Sequence, residues 1–188
     1  MARVVIVYHS GRGHTEALAK AALEGAESVP GVTAACIPAA EAMKRIAELD
    51  AADAMIFGCP TYMGSGSSEF KKFMEATSRL WSELRWKDKL AAGFTNSGSQ
   101  SGDKLVTLIQ LAVFAAQHGM LWVSLGLLPG NNASTASIED LNRLGSFLGA
   151  MGQSNVDQGS DVAPPPADRA TARHLGARVA ALALRFAR

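Results

Sequence analysis

Three short stretches carry side chains that could grip an anion. They are "HSGRGHT" at residues 9–15, "GCPTYMGSGS" at 58–67 and "TNSGSQSG" at 95–102. All three are rich in glycine and hydroxyls and free of acid. In the first, Ser10 and Thr15 offer hydroxyls, Gly11 and Gly13 allow close backbone approach, and Arg12 adds a charge. Unpaired N–H groups at a helix start, together with the helix dipole, favour a phosphate at such a place. The spacing is not that of a nucleoside-triphosphatase loop, since no lysine follows, and Glu16 stands where a dinucleotide fingerprint needs its third glycine. The plainer alternative is a tight turn capped by its own hydroxyls.

The elements around these stretches must bring them together. "VVIVY" at 4–8 is a continuous apolar run, as in a strand covered on both faces. After the turn, Leu18, Ala22, Gly25 and Val29 recur at helical spacing, and Glu16 and Lys20 are set for an i,i+4 pair. Further strands are predicted at 32–38, 52–58, 89–96 and 120–126, and a short strand segment within 144–151. Helices are predicted at 41–49, 67–81 (with Ser67 or Ser68 as its cap), 103–117 and about 167–186, the last introduced by three prolines. Such alternation calls for a parallel sheet with helices on both faces, whose ligands sit beyond the carboxyl ends of the strands. All three stretches fall at those ends. The helix at 103–117 is apolar nearly all round, with Asp103, Lys104, Thr107, Gln110 and Gln117 as its few polar positions. It is either buried within the subunit or covered by another one. Residues 126–163 are long for a connection, and 152–161 reads as a flexible flap.

Composition narrows the classes. The 188 residues suit one domain, and 48% hydrophobic with 19% charged is ordinary for a globular protein. A formal charge of +1 argues against nucleic-acid binding. No run is long enough for a membrane span and no signal-peptide pattern opens the chain, so a cytoplasmic protein is expected. Two cysteines, Cys36 and Cys59, support neither a disulfide framework nor a metal site. A receiver-type signalling domain would need acids where Tyr8-His9-Ser10 and Gly58-Cys59 stand.

Taken together, the loops resemble those of the flavodoxin superfamily, and most closely the WrbA-type NAD(P)H:quinone oxidoreductases. "YHSGRGHTEALA" is similar to the family's phosphate loop and "GCPTYMG" to its loop at the flavin ring. "LW" at Leu80-Trp81, "TNSGSQSG" and "HGM" at 118–120 match in order and at fitting intervals. Cys59 and Asn96 depart from the usual serine or threonine, and residues 149–161 match the family's glycine-rich flap only loosely.

The resemblance implies a flavodoxin-like doubly wound, five-stranded parallel sheet forming a single domain over residues 1–188, with 126–163 near the flavin. It implies bound FMN and NADH or NADPH as co-substrate. Hydride would pass to the flavin, and two electrons would then pass to a quinone in the same space, giving ping-pong kinetics. Ser10, Arg12, Gly13, His14 and Thr15 would hold the phosphate. Pro60, Thr61, Tyr62, Met63 and Gly64 would line the ring, Thr61 and Tyr62 nearest. Asn96 and the backbone of Ser97, Gly98, Ser99, Gln100, Ser101 and Gly102 would face its pyrimidine end, where donors stabilise the reduced flavin. His118 would be the catalytic group at the open flavin face, hydrogen-bonding a quinone oxygen or assisting protonation; read by itself it is a helix-end residue favoured by the dipole. Trp81 is either a packing residue or, by resemblance, part of a neighbouring subunit's flavin pocket in a homotetramer or homodimer. His14 either touches phosphate or serves the helix's first turn. Cys59 reads as a small buried hydrophobe before a redox group. Alternatives at the level of function are a flavodoxin-type electron carrier, a reductase of azo or nitro compounds, and a binding protein for another protein.

Overall fold

The structure, a computed structural model, describes residues 1–187. In chain order its elements are β1 (Ala2–Tyr8), α1 (His14–Glu27), β2 (Val32–Pro38), α2 (Ala39–Ala42), a 3-10 turn (Met43–Arg45) and α3 (Ile46–Asp50). Then come β3 (Ala54–Tyr62), β4 (Ser65–Gly66), α4 (Ser68–Ala76), α5 (Ser78–Ser82), β5 (Leu90–Ser97) and α6 (Lys104–Gln117). The chain closes with β6 (Leu121–Trp122), β7 (Ala150–Gln153) and α7 (Pro166–Phe186). The parallel sheet runs β2-β1-β3-β5-β6, and β4 folds back antiparallel on β3. From β1 the chain steps first to one side and then to the other. The carboxyl ends of β1 and β3 therefore form the crevice where flavodoxin-like sheets take a ligand.

The apolar run of β1 is divided between two cores. Val4 and Ile6 join Ile56 and Phe94 under α1 and α7, while Val5 and Val7 join Met55, Phe57, Phe70, Phe73 and Phe114 on the other face. Full burial of one such side chain contributes about 1.5–3 kcal/mol, which is why positions 4–7 of this central strand are all apolar. Helices α1 and α7 cross in backbone contact. A Cβ on Gly25 would land on the Arg173 carbonyl, and one on Gly176 on the Ala22 carbonyl. The Glu16–Lys20 pair forms at 2.8 Å.

Several boundaries differ from the expected ones. The helix at 41–49 is three short pieces, and the one at 67–81 breaks at Thr77. Ser67 sits at the start of α4 without capping it, because its hydroxyl bonds His9 Nδ1 at 2.8 Å instead. The strand expected over 120–126 is only Leu121–Trp122, pairing with Leu90 and Ala91 at the start of β5. The end of β5 is completed by β7, Phe94 facing Ala150 and Ser97 facing Gln153. Residues 123–149 leave the sheet between these two half-strands. Asn142 closes their base, its side chain donating to the Leu128 and Ser146 carbonyls, and the Gly130 amide donates to the Asn142 carbonyl.

Candidate functional site

At the carboxyl rim, the three stretches converge on one cleft of about 700 Å³. Ser10, Arg12, His14 and Thr15 come from the β1–α1 turn, Pro60, Thr61 and Tyr62 from β3, and Asn96, Ser97 and Gly98 from the end of β5. An adjoining hollow is lined by Met63, Gly64, Ser99, Gly102 and Asp103. Gln100 and Ser101 form the exposed tip of the same loop.

The β1–α1 turn is built for an anion. Gly13 has φ 85° at the head of α1 and no side chain caps the helix. Ser10 Oγ is buried there without a hydrogen-bond partner, a costly state unless something fills it. His14 starts the helix, and its Nε2 lies 2.8 Å from the Gln158 carbonyl. Arg12, otherwise exposed, reaches the Val156 carbonyl at 3.4 Å.

The β3–β4 hairpin places the aromatic residue. Tyr62 pairs with Ser65 across a two-residue turn in which Met63 (φ 48°) and Gly64 (φ 79°) are both left-handed. A fully exposed methionine held at positive φ is strained, as residues at binding sites often are. Tyr62, half exposed, lies across the phosphate turn: a Cβ on Gly11 would stand 2.5 Å from its hydroxyl. The Thr61 hydroxyl turns inward, 2.8 Å from both Thr95 Oγ1 and Thr107 Oγ1, so its side-chain oxygen is already engaged.

The β5–α6 loop is tight. Gly102 has φ 53°, and a Cβ there would fall on the Ser97 hydroxyl, so only glycine fits. The residue most firmly inside it is one that sequence reasoning placed on a polar helix stripe: Lys104 is 1% exposed. Burial pulls its pKa down to about 8, with Asp168 opposing and Arg143 adding to the shift. A lysine in a first helical turn, where the dipole disfavours a cation, was the available signal.

The flap residues 154–158 form the remaining wall, with Ser154, Val156 and Asp157 lining the cleft. The stretch 126–163 was expected near the flavin, but none of these three residues was singled out. The Ser154 hydroxyl stands 3.0 Å from the Asn96 amide, and the Ser154 N–H donates to the Ser97 carbonyl. Behind it, Arg143 pairs with the buried Asp168 at 2.7 Å, and the Asp168 carboxylate also accepts the Gln153 N–H. Asp157 and Asp103 bring acids to a rim whose three loops hold none.

His118 and Trp81 lie elsewhere in the chain. His118 follows α6 at the amino edge of the sheet, its ring 4.5 Å from Trp86 and 4.8 Å from Phe114. Its Nε2 bonds Thr77 Oγ1 at 2.9 Å, and Nδ1 is buried without a partner. Burial lowers its pKa to about 4, so the imidazole is neutral at pH 7. Trp81 is 49% exposed on α5, and the two residues line a separate hollow of about 230 Å³. Cys59 is buried beneath the rim, its thiol pushed up to about 12 by burial, which suits a packing residue. Among the described residues no three potential metal-ligating side chains cluster, and no helix is long and apolar enough to cross a membrane.

Comparison with known proteins places this geometry among flavoproteins. A family model described as NADPH-dependent FMN reductase matches residues 2–134. The chain is 45% identical to a protein called Flavodoxin FldP from Pseudomonas aeruginosa over 185 residues, covering 96% of each. It is 33% identical to an NAD(P)H dehydrogenase (quinone) from Archaeoglobus fulgidus, over 97% of this chain and 98% of that one. A crystal structure of a flavodoxin, WrbA-like protein from Agrobacterium tumefaciens superposes with a TM-score of 0.74 at 43% identity, covering 98% and 99% of the two chains.

Proposed function

The chain belongs to the NADPH-dependent FMN reductase family and is a WrbA-type, flavodoxin-like flavoprotein; from that premise we propose that it is an FMN-dependent NAD(P)H:quinone oxidoreductase. The residues present fit FMN. The buried, unpartnered Ser10 hydroxyl sits at the head of α1, beside glycines that admit a phosphate, and this single observation carries the reading. Bound FMN would supply the chemistry, accepting hydride from a reduced nicotinamide and returning two electrons to a quinone.

The chain's own groups bind and orient. Ser10, Arg12, Gly13, His14 and Thr15 hold the phosphate. The segment Pro60, Thr61, Tyr62, Met63 and Gly64 lines the ring, Thr61 through its backbone and Tyr62 through its aromatic surface. Asn96 and the loop Ser97, Gly98, Ser99, Gln100, Ser101 and Gly102 face the pyrimidine end. Nicotinamide and quinone enter by the same opening in turn, so the kinetics are ping-pong. In a homotetramer, or a homodimer, Trp81 and His118 line a neighbouring subunit's opening. There His118, neutral at pH 7, would serve as a hydrogen-bond partner to a quinone oxygen in preference to a proton donor, a role that requires its Nδ1, buried in the single subunit, to be uncovered in the assembly.

Purified protein is expected to take up FMN and turn yellow. It should then oxidise NADH or NADPH with benzoquinone, giving parallel double-reciprocal lines. Colourless protein that takes up no FMN in titration overturns the reading.

A second reading, a flavodoxin-type electron carrier, is favoured by the 45% identity to a protein of that name. The near-neutral charge favours the enzyme, since an acidic surface is what a carrier uses to dock basic partners. A persistent blue absorbance on photoreduction, with no turnover of NAD(P)H, would decide for the carrier.

A further inference from the structure

The β5–α6 loop segregates its backbone polarity. Every carbonyl from Ser97 to Ser101 accepts a hydrogen bond from the protein. Ser97 receives the Ser154 N–H and Gly98 the Gln153 side chain. Ser99 receives Lys104 Nζ at 2.8 Å, Gln100 receives it at 2.7 Å, and Ser101 receives the Lys104 N–H. By contrast, among the described residues no amide N–H from Gly98 to Gly102 has a partner. A trans peptide points its C=O and N–H in opposite directions. Drawing the Ser99 and Gln100 carbonyls onto one ammonium therefore turns the Gln100 and Ser101 amides away from it, making a concavity of unopposed donors. The third Nζ hydrogen goes to Ser97 Oγ at 2.8 Å, so the cation is fully used by the loop it organises.

We propose that Lys104 is a positioning residue that holds this loop as a one-sided donor array, and that its buried charge stabilises the negative charge a reduced isoalloxazine carries at its pyrimidine end. This rests on the reading of the cleft as an FMN site. Among the described residues no acid pairs directly with Lys104. Asp168 on α7 is held by Arg143, and Asp103 beside Lys104 is exposed. The positive charge behind the loop is thus uncompensated at close range. Two-electron reduction of bound FMN consumes two electrons and one proton at N5. Above about pH 8, where the buried ammonium begins to lose its proton, the same reduction draws a further proton from solvent onto Nζ.

The test combines FMN titration of apoprotein with potentiometry across pH 6–10, using wild type, Lys104→Met and Lys104→Gln. Lys104→Met, which removes donors and charge, should weaken FMN binding at least tenfold. Lys104→Gln, which keeps two donors, should bind within about threefold of wild type yet show a lower two-electron midpoint potential at pH 7. The wild-type potential should fall more steeply with pH above about pH 8, and the Lys104→Gln line should not. If Lys104→Met does not fold, the wild-type slope and the glutamine variant still decide. Unchanged affinity in Lys104→Met overturns the positioning role, and an unchanged potential and slope in Lys104→Gln overturn the electrostatic one. A wild type that takes up no FMN overturns the parent reading and this one together; FMN uptake with indifferent variants overturns only this one.

Discussion

At the carboxyl ends of the strands, polar groups are left waiting: the Ser10 hydroxyl is buried without a partner and the amides from Gly98 to Gly102 are free. At the amino ends the chain closes on itself, with His118 Nδ1 the one buried polar side-chain atom there left without a partner among the described residues. Trp86 is wholly buried, donates Nε1–H to Asp50 at 3.0 Å and lies against His118, while Lys89 caps the Asp50 and Ala52 carbonyls. The two rims share the same sheet and helices, so the contrast comes from what fills the turns. Aromatic and long charged side chains seal the lower rim and contribute stability. Glycine and small hydroxyls leave the upper one incomplete, which costs stability and creates a place for a ligand.

If that division of labour holds, the lower rim can be damaged without harming the cleft. Trp86→Ala should cost about 3–5 kcal/mol in denaturant unfolding, the range for emptying a buried tryptophan site. The protein that remains folded should bind FMN with unchanged affinity, and a large loss of affinity would break the comparison. A second effect at the same rim is titratable. The His118 pKa falls from the ordinary 6.5 to about 4 by burial, so the unfolded chain binds the extra proton between those values. Stability should therefore fall as pH drops from about 6.5 to 4, by on the order of 3 kcal/mol in all. His118→Phe should flatten that limb of the stability–pH curve.

The upper rim should respond in the opposite sense. Ser10→Ala removes a buried hydroxyl with no partner, so apoprotein stability should hold or rise slightly. FMN affinity should fall about tenfold, the worth of one hydrogen bond to a charged group. Lower apoprotein stability with intact affinity would mean the hydroxyl serves the fold. The smallest effect concerns Cys59, whose thiol is buried and raised to about 12. Alkylating reagent at pH 8 should leave it unmodified in the native protein, and FMN binding should be untouched.

The three cleft-forming loops were legible because strand–helix alternation fixes where they must meet, and their composition marks them as unlike ordinary turns. The flap was expected near the flavin, but which of its residues reach the cleft was not legible. Ser154, Val156 and Asp157 reach the cleft only because β7 completes the edge of β5, and periodicity in one stretch says nothing about which distant stretch will pair with it. Lys104 was misplaced for a related reason: helical spacing puts it on the polar stripe, but the loop before it folds back and encloses the side chain. The helix bearing it is buried within the subunit along one face only. Leu108, Leu111 and Phe114 are buried, while Leu105, Val106, Ile109 and Val113 are between 43% and 54% exposed. The break at Thr77 escaped prediction as well, since its hydroxyl bonds the Met74 carbonyl and His118, contacts that no local pattern announces.

Splitting the last sheet position between Leu121–Trp122 and Ala150–Gln153 has an engineering consequence. The Gly130–Asn142 hydrogen bond shuts the intervening excursion at its base, and residues 131–135 beyond it are exposed. Loop closure becomes costlier only slowly with added length. That tip is therefore a natural graft point: a fluorescent reporter or affinity module spliced there would ride outside the bolted base, leaving the cofactor cleft in register.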